Sequence, residues 1–144
     1  MKVFEIKVYE QFDVVFRLAV CKTRKEMIAA IKRHVDENYA DNNYPAGDTQ
    51  GMFCPTAELV KNNIPGTFNS NMFGTMFLNI EDADIDVIAH ECGHAAFGYE
   101  FYIRHFSGRF DDDSFEEQEA YCYFLGGAVR KVREAVKKTG GVKI

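Results

Sequence analysis

The chain has 144 residues, 47% of them hydrophobic, with 13 Phe, 7 Tyr and a formal net charge of −5. That length suits a single domain over residues 1–144 with one core, and the acidic balance gives a nucleic-acid duplex no global electrostatic support. No apolar run approaches the ~20 residues that span a bilayer, so neither a nucleic-acid nor a membrane partner is expected.

The N-terminal stretch "MKVFEIKVYEQF" carries Glu5, Lys7 and Glu10 where a signal peptide needs an apolar region, and a cytoplasmic location is expected. Cysteines at 21, 54, 92 and 122 form no CxxC pair, so they read as reduced, buried thiols rather than a disulfide framework.

In chain order, "KVFEIKVYE" alternates, with Phe4, Ile6 and Val8 on one face, and predicts a half-buried strand. "DVVFRLAV" predicts a second, with Phe16, Leu18 and Val20 on one face, and "EQF" turns the chain between the two as a hairpin. Thr23 and Glu26 form a capping-box pattern, and Met27, Ile28, Ile31 and Val35 then recur at helical spacing. His34 lies at the edge of that stripe and reads as partly exposed.

"ADNNYPAGDTQG" is a loop, a short strand is expected over Met52–Cys54, and "NNIPGTFNSN" is turn chemistry again. "GTMFLNI" predicts a strand of mixed pattern, and "EDAD" after it offers helix N-caps and first-turn carboxylates. A helix is expected from about 83 to about 106, with Ile85, Ile88, Cys92, Ala96, Tyr99 and Ile103 as its core stripe. "SGRFDDDS" breaks the chain and reads as a solvated acidic turn, since it lacks the spaced ligands and glycine of a calcium loop. A last helix starts near Ser114, with Ala120, Tyr121, Phe124, Leu125, Ala128 and Val132 on one face. Its basic run "RKVREAVKK" reads as a solvated face. The order strand, strand, helix, strands, helix, helix predicts an α+β fold with one small sheet.

The penultimate helix contains "HECGH", His90 to His94. Residues four apart lie one turn above each other on a helix, so His90 and His94 can point two imidazoles at one metal ion. Glu91 is rotated about 100° from His90, which suits a base leaning over a water better than a third ligand. Catalytic zinc takes three protein ligands and keeps one position open. Glu100 follows His94 by six residues, but the glycine needed to turn the chain back is absent: Phe97 stands there and Gly98 comes one residue later.

The other source is "SFEEQEAY". Extrapolated backwards, the apolar stripe of the last helix reaches Glu116 and Glu117 and misses Glu119. An inward carboxylate needs a partner, and zinc is one. Asp113 with Glu116, or Ser114 with Glu117, also fits a capping box. Cys92 lies on the core stripe and reads as packing. Gly93 inside a helix costs about 1 kcal/mol against alanine, which points to close packing there. His105 suits the helix C-terminus.

"HECGH" followed 23 residues later by the glutamate of "EQEAY" resembles the gluzincin group of zinc metallopeptidases, most of all the small ImmA/IrrE-type and phage zincin-like proteins. The resemblance covers about residues 74–128. It implies a small zincin-like domain whose mixed sheet packs on the HExxH helix, a helix of the N-terminal half and a C-terminal helix. It also implies zinc held by His90, His94 and Glu117, with Glu91 as catalytic general base. "GTMFLNI" takes the place of the zincin edge strand, which pairs with an extended peptide by β-addition. Tyr121 departs from the pattern, standing where many relatives have the Asp or Asn that steadies a ligand histidine.

The expected function is zinc-dependent hydrolysis of a peptide bond in a protein or peptide substrate, with the oxyanion helped by a tyrosine or His105. The alternative is a non-hydrolytic zinc-binding interaction or regulatory module on the same fold, against which the presence of Glu91 argues. A third reading is zinc-dependent hydrolysis of another bond. The oligomeric state is left open.

Overall fold

The computed structural model describes residues 1–10, 14–39, 44–56, 71–107 and 115–140, with the side chains of 103–107 and 115–117 outside the description. Its elements are β1 (Lys2–Lys7), β2 (Val15–Cys21), α1 (Arg24–Asn38), β3 (Gly51–Pro55), β4 (Met72–Asn79), α2 (Ile85–Ser107) and α3 (Phe115–Lys138). The fold is α+β: three helices and one four-stranded mixed sheet of order β1-β2-β4-β3. β1 runs antiparallel to β2 from Lys2↔Val20 to Lys7↔Val15, as a hairpin should, with the expected turn largely outside the described residues. β2 and β4 are parallel, and β3 is antiparallel to β4 from Gly51↔Leu78 to Pro55↔Gly74.

The sheet is covered on both faces. Met27, Ala30, Ile31 and Val35 of α1 pack with Ala19, Cys21, Cys54 and Phe77. On the other face Phe16, Leu18, Val20, Phe73, Met76 and Leu78 meet α2 and α3. The middle strands are therefore buried on both sides, which explains the mixed pattern of "GTMFLNI". It also corrects the edge-strand expectation. β4 lies between β2 and β3, and the edge beside the HExxH helix is β3. No helix among the described residues is long and apolar enough to cross a membrane.

Caps and loops are local and specific. Thr23 caps α1 by accepting from the Glu26 N–H at 3.1 Å, while the Glu26 carboxylate accepts from the Lys22 N–H rather than closing on Thr23 itself. Asp84 caps α2, accepting from the Val87 N–H at 2.9 Å. The buried face of α2 runs through Val87, Ile88, Glu91, Cys92, Ala95, Ala96 and Tyr102. Ile85, expected in that stripe, falls at its margin in the capped first turn and is 47% exposed. On α3, Tyr121, Phe124, Leu125, Ala128 and Val132 pack as expected and Ala120 is exposed, while Ile103 lies outside the described side chains. Cys21, Cys54 and Cys92 are buried free thiols; Cys122, against expectation, is exposed.

One buried amide joins three of these pieces. Asn79 is fully buried at the end of β4. Its Nδ2 donates to the Gln50 carbonyl at 3.2 Å and to Asp82 at 3.0 Å, and its Oδ1 accepts from the Asp82 N–H at 3.0 Å. Asp82 in turn accepts two 2.7 Å bonds from the Arg24 guanidinium at the start of α1. Asn79 thus holds the loop before β3 against the turn that launches α2. Replacing Asn79 with Ala would leave the Gln50 carbonyl and the Asp82 N–H without these bonds. We expect Asn79→Ala to lower stability by about 2–4 kcal/mol in urea denaturation, since it removes three part-buried hydrogen bonds worth about 0.5–1.5 kcal/mol each.

Candidate metal and catalytic site

The site is built where α2 crosses the β3 edge. His90 and His94 stand on the outer side of the helix and are exposed, and their Nε2 atoms are 3.2 Å apart. Glu91 turns the other way, under β3, and is 5% exposed. Its Oε1 is 3.9 Å from His90 Nε2. Its Oε2 is buried and has no hydrogen-bond partner among the described residues. The motif therefore splits into two open imidazoles and one sheltered carboxylate.

β3 shelters that carboxylate because of Phe53. The Phe53 ring is seated between β4 and α2, in contact with Phe16 and Phe73 at centroid distances of 6.1 and 6.0 Å. A Cβ on Gly74 would overlap the ring, and one on Gly98 would lie 3.0 Å from it. An isolated glycine in a strand marks close approach of another group, and here glycines on two elements open one slot for one ring. With the ring seated, the Phe53 backbone N–H lies near the Glu91 carboxylate and favours its charged form. Gly51 completes the cover: a Cβ there would meet Glu91 Cγ at 3.0 Å. Burial raises the Glu91 pKa, opposed by the nearby His94 and His90 and by the Phe53 N–H.

Tyr121 reaches the histidine-bearing side of α2 from α3. A Cβ on Gly93 would lie 4.0 Å from the Tyr121 hydroxyl, and the Tyr121 ring sits 5.1 Å from that of Phe97. Gly93 is thus not crowded as expected: α3 arrives through a hydroxyl rather than its backbone. Burial raises the Tyr121 pKa, with Cys122 and Glu100 adding to the shift, so the phenol is a proton donor at neutral pH. Glu100 is half-buried, and Glu119 is exposed as expected. Cys92 is fully buried, its thiol pushed up to about 12 by burial first and Glu91 second. The side chains of Glu117, Glu116 and His105 lie outside the described residues.

Two nitrogens bound to one zinc at 2.0–2.1 Å in tetrahedral geometry stand about 3.3 Å apart, close to the 3.2 Å between the two Nε2 atoms. The spacing of the histidine pair thus fits a zinc ion, and Glu91 Oε1, 3.9 Å from His90 Nε2, lies beside that position. Among the described residues no group of three or more His, Cys, Asp or Glu converges on a metal position. No protein-family model, curated protein or solved structure matches the chain.

Sequence reasoning missed the cover over Glu91. Its signal was present in Gly74 and Gly98, one inside a strand and one inside a helix. Because folding raises the Glu91 pKa, the protonated form adds stability below the unfolded carboxylate pKa, and this is lost as pH rises through the folded value. In metal-free protein we expect Glu91→Gln to be more stable than the wild type at pH 7. The difference should grow with pH across the carboxylate range, as read by urea denaturation at several pH values.

Proposed function

We propose that the protein is a zinc-dependent metallopeptidase of the gluzincin kind, with His90, His94 and Glu117 as zinc ligands and Glu91 as general base. The observation that carries this reading is the pair of Nε2 atoms 3.2 Å apart beside a buried carboxylate whose Oε1 is 3.9 Å from His90 Nε2. The Glu117 assignment rests on the sequence pattern.

When bound, zinc supplies Lewis acidity, which acidifies water and polarises a carbonyl. Glu91 takes a proton from the attacking water at its carboxylate and returns it to the leaving amine. Its raised pKa suits a group that must both accept and release that proton. The packing of β3 at Gly51 against Glu91 Cγ limits where the carboxylate can lie. The β3 edge offers backbone groups to an extended peptide laid beside Glu91. The protonated Tyr121 hydroxyl is the nearest described phenol to the histidine-bearing face at Gly93 and serves as a donor to the developing oxyanion.

Elemental analysis after expression in zinc-supplemented medium should find one zinc per chain; no metal and no tight uptake on titration would sink the assignment. Glu117→Ala should weaken zinc binding far more than Glu119→Ala or Glu100→Ala. Equal loss in Glu100→Ala would move the third ligand onto α2. Glu91→Gln should fold, keep zinc and lose hydrolysis by ~10²–10⁴-fold or more, measured on a proteome-derived peptide mixture by mass spectrometry. A variant that keeps zinc and full activity in the cell would favour the interaction module instead.

A further inference from the structure

A cavity of about 350 Å³ opens between the segment leading into β3 and the first two turns of α2. Asp48, Gly51, Asp86, Val87, His90 and Glu91 are among its lining residues. It adjoins the proposed site directly, since His90 and Glu91 belong to both. Its volume is at the small end of ligand pockets, suited to one long side chain.

Its chemistry is asymmetric. The inner wall holds Glu91, 5% exposed, whose Oε2 has no partner among the described residues. An unpaired buried carboxylate oxygen is costly, and Glu91 makes this end of the cavity polar rather than a closed apolar wall. Gly51 and Val87 add an apolar part to the lining, and a Cβ at Gly51 would press on Glu91 at 3.0 Å and Val87 at 3.3 Å. Asp48 and Asp86, both exposed, complete the lining on the solvent side. The cationic Arg24 lies within electrostatic reach of Asp48, but both oxygens of Asp82 hold its guanidinium at 2.7 Å. Asp86, in the first turn of α2, is therefore the carboxylate best placed to meet an incoming cation. An apolar passage ending at exposed carboxylates matches an amphipathic side chain that lays an alkyl stem along the wall and leaves its charge at the mouth.

We propose that this cavity selects a lysine or arginine side chain of the substrate, with Asp86 as its main charge partner and Asp48 as the second. The inference rests on the peptidase reading for its biological use, making the substrate class peptides with a basic residue beside the scissile bond. The occupancy of the cavity itself can be read without any cleavage.

The test titrates the full chain, zinc present, with Nα-acetyl-lysine N-methylamide and, separately, Nα-acetyl-norleucine N-methylamide, following the backbone amide resonances of Gly51 and Val87. The lysine probe should shift both resonances and bind about five- to tenfold tighter than its uncharged analogue. Asp86→Asn should remove most of that preference and Asp48→Asn a smaller part, and added salt should weaken it in the wild type. Asp86→Lys should reverse it in favour of Nα-acetyl-glutamate N-methylamide. Equal affinity for the lysine and norleucine probes, shifts that spare Gly51 and Val87, or an unchanged preference in Asp86→Asn would each overturn the assignment. A lysine preference with no hydrolysis of any peptide would reject the peptidase reading and leave the cavity assignment standing. Hydrolysis with no basic preference would do the reverse.

Discussion

The seating of one aromatic ring sets the position of everything chemically interesting in this chain. Phe53 is accommodated only because Gly74 on β4 and Gly98 on α2 carry no side chain where the ring lies. The ring fixes the height of β3 against α2, and the height of β3 decides whether Glu91 is wet or dry. Burying an aromatic among Phe16 and Phe73 is strongly favourable, whereas burying a carboxylate with one unpaired oxygen is unfavourable. The first offsets the second. A carboxylate with a raised proton affinity is therefore maintained by packing on the strand that lies across it.

The same geometry explains why one motif presents two opposite environments. His90 and Glu91 are adjacent in sequence, yet the side chain of His90 is 69% exposed and that of Glu91 only 7%. A helix turns about 100° per residue, so neighbours can belong to different faces, and here the boundary between faces falls inside the motif. For the proposed roles this division is apt: metal-binding groups gain from access, while a base gains from a site where its pKa is shifted toward neutrality. Neither requires a long chain. Both follow from laying one edge strand across one helix.

Much of this was legible in order, and little of it in space. The helices, the Thr23 and Asp84 caps and the strand near Met52 follow from local spacing and capping chemistry, and they appear within two or three residues of expectation. The sheet order does not follow from such signals. β2 and β4 pair in parallel across the fifty residues between them, and no local pattern states that "GTMFLNI" would be interior and "GMFCP" the edge. Burial of β4 on both faces erased the alternation that would have marked an exposed strand. Ile85 misled for a related reason: periodicity gives a residue's angle on the helix, and not whether anything covers that end of it. The HExxH spacing was legible because it is a local angular relation. The cover over Glu91 and the cavity beside it were not, because each needs two elements brought together.

Asp86 shows how one residue serves two demands of this arrangement. In the first turn of α2 a carboxylate interacts favourably with the helix dipole, and that alone justifies an acid there. The Asn79–Asp82–Arg24 network holds the loop before β3 against that turn, so the same carboxylate also overlooks the cavity that ends at Glu91. The dipole at a helix N-terminus repels cations, and an unmodified first turn would disfavour a lysine at the mouth. Asp86, together with the Asp84 cap, places negative charge at that turn while Arg24 is held by Asp82. The local charge preference of the cavity is thus set by which side chains are already paired, and not by the chain's net charge.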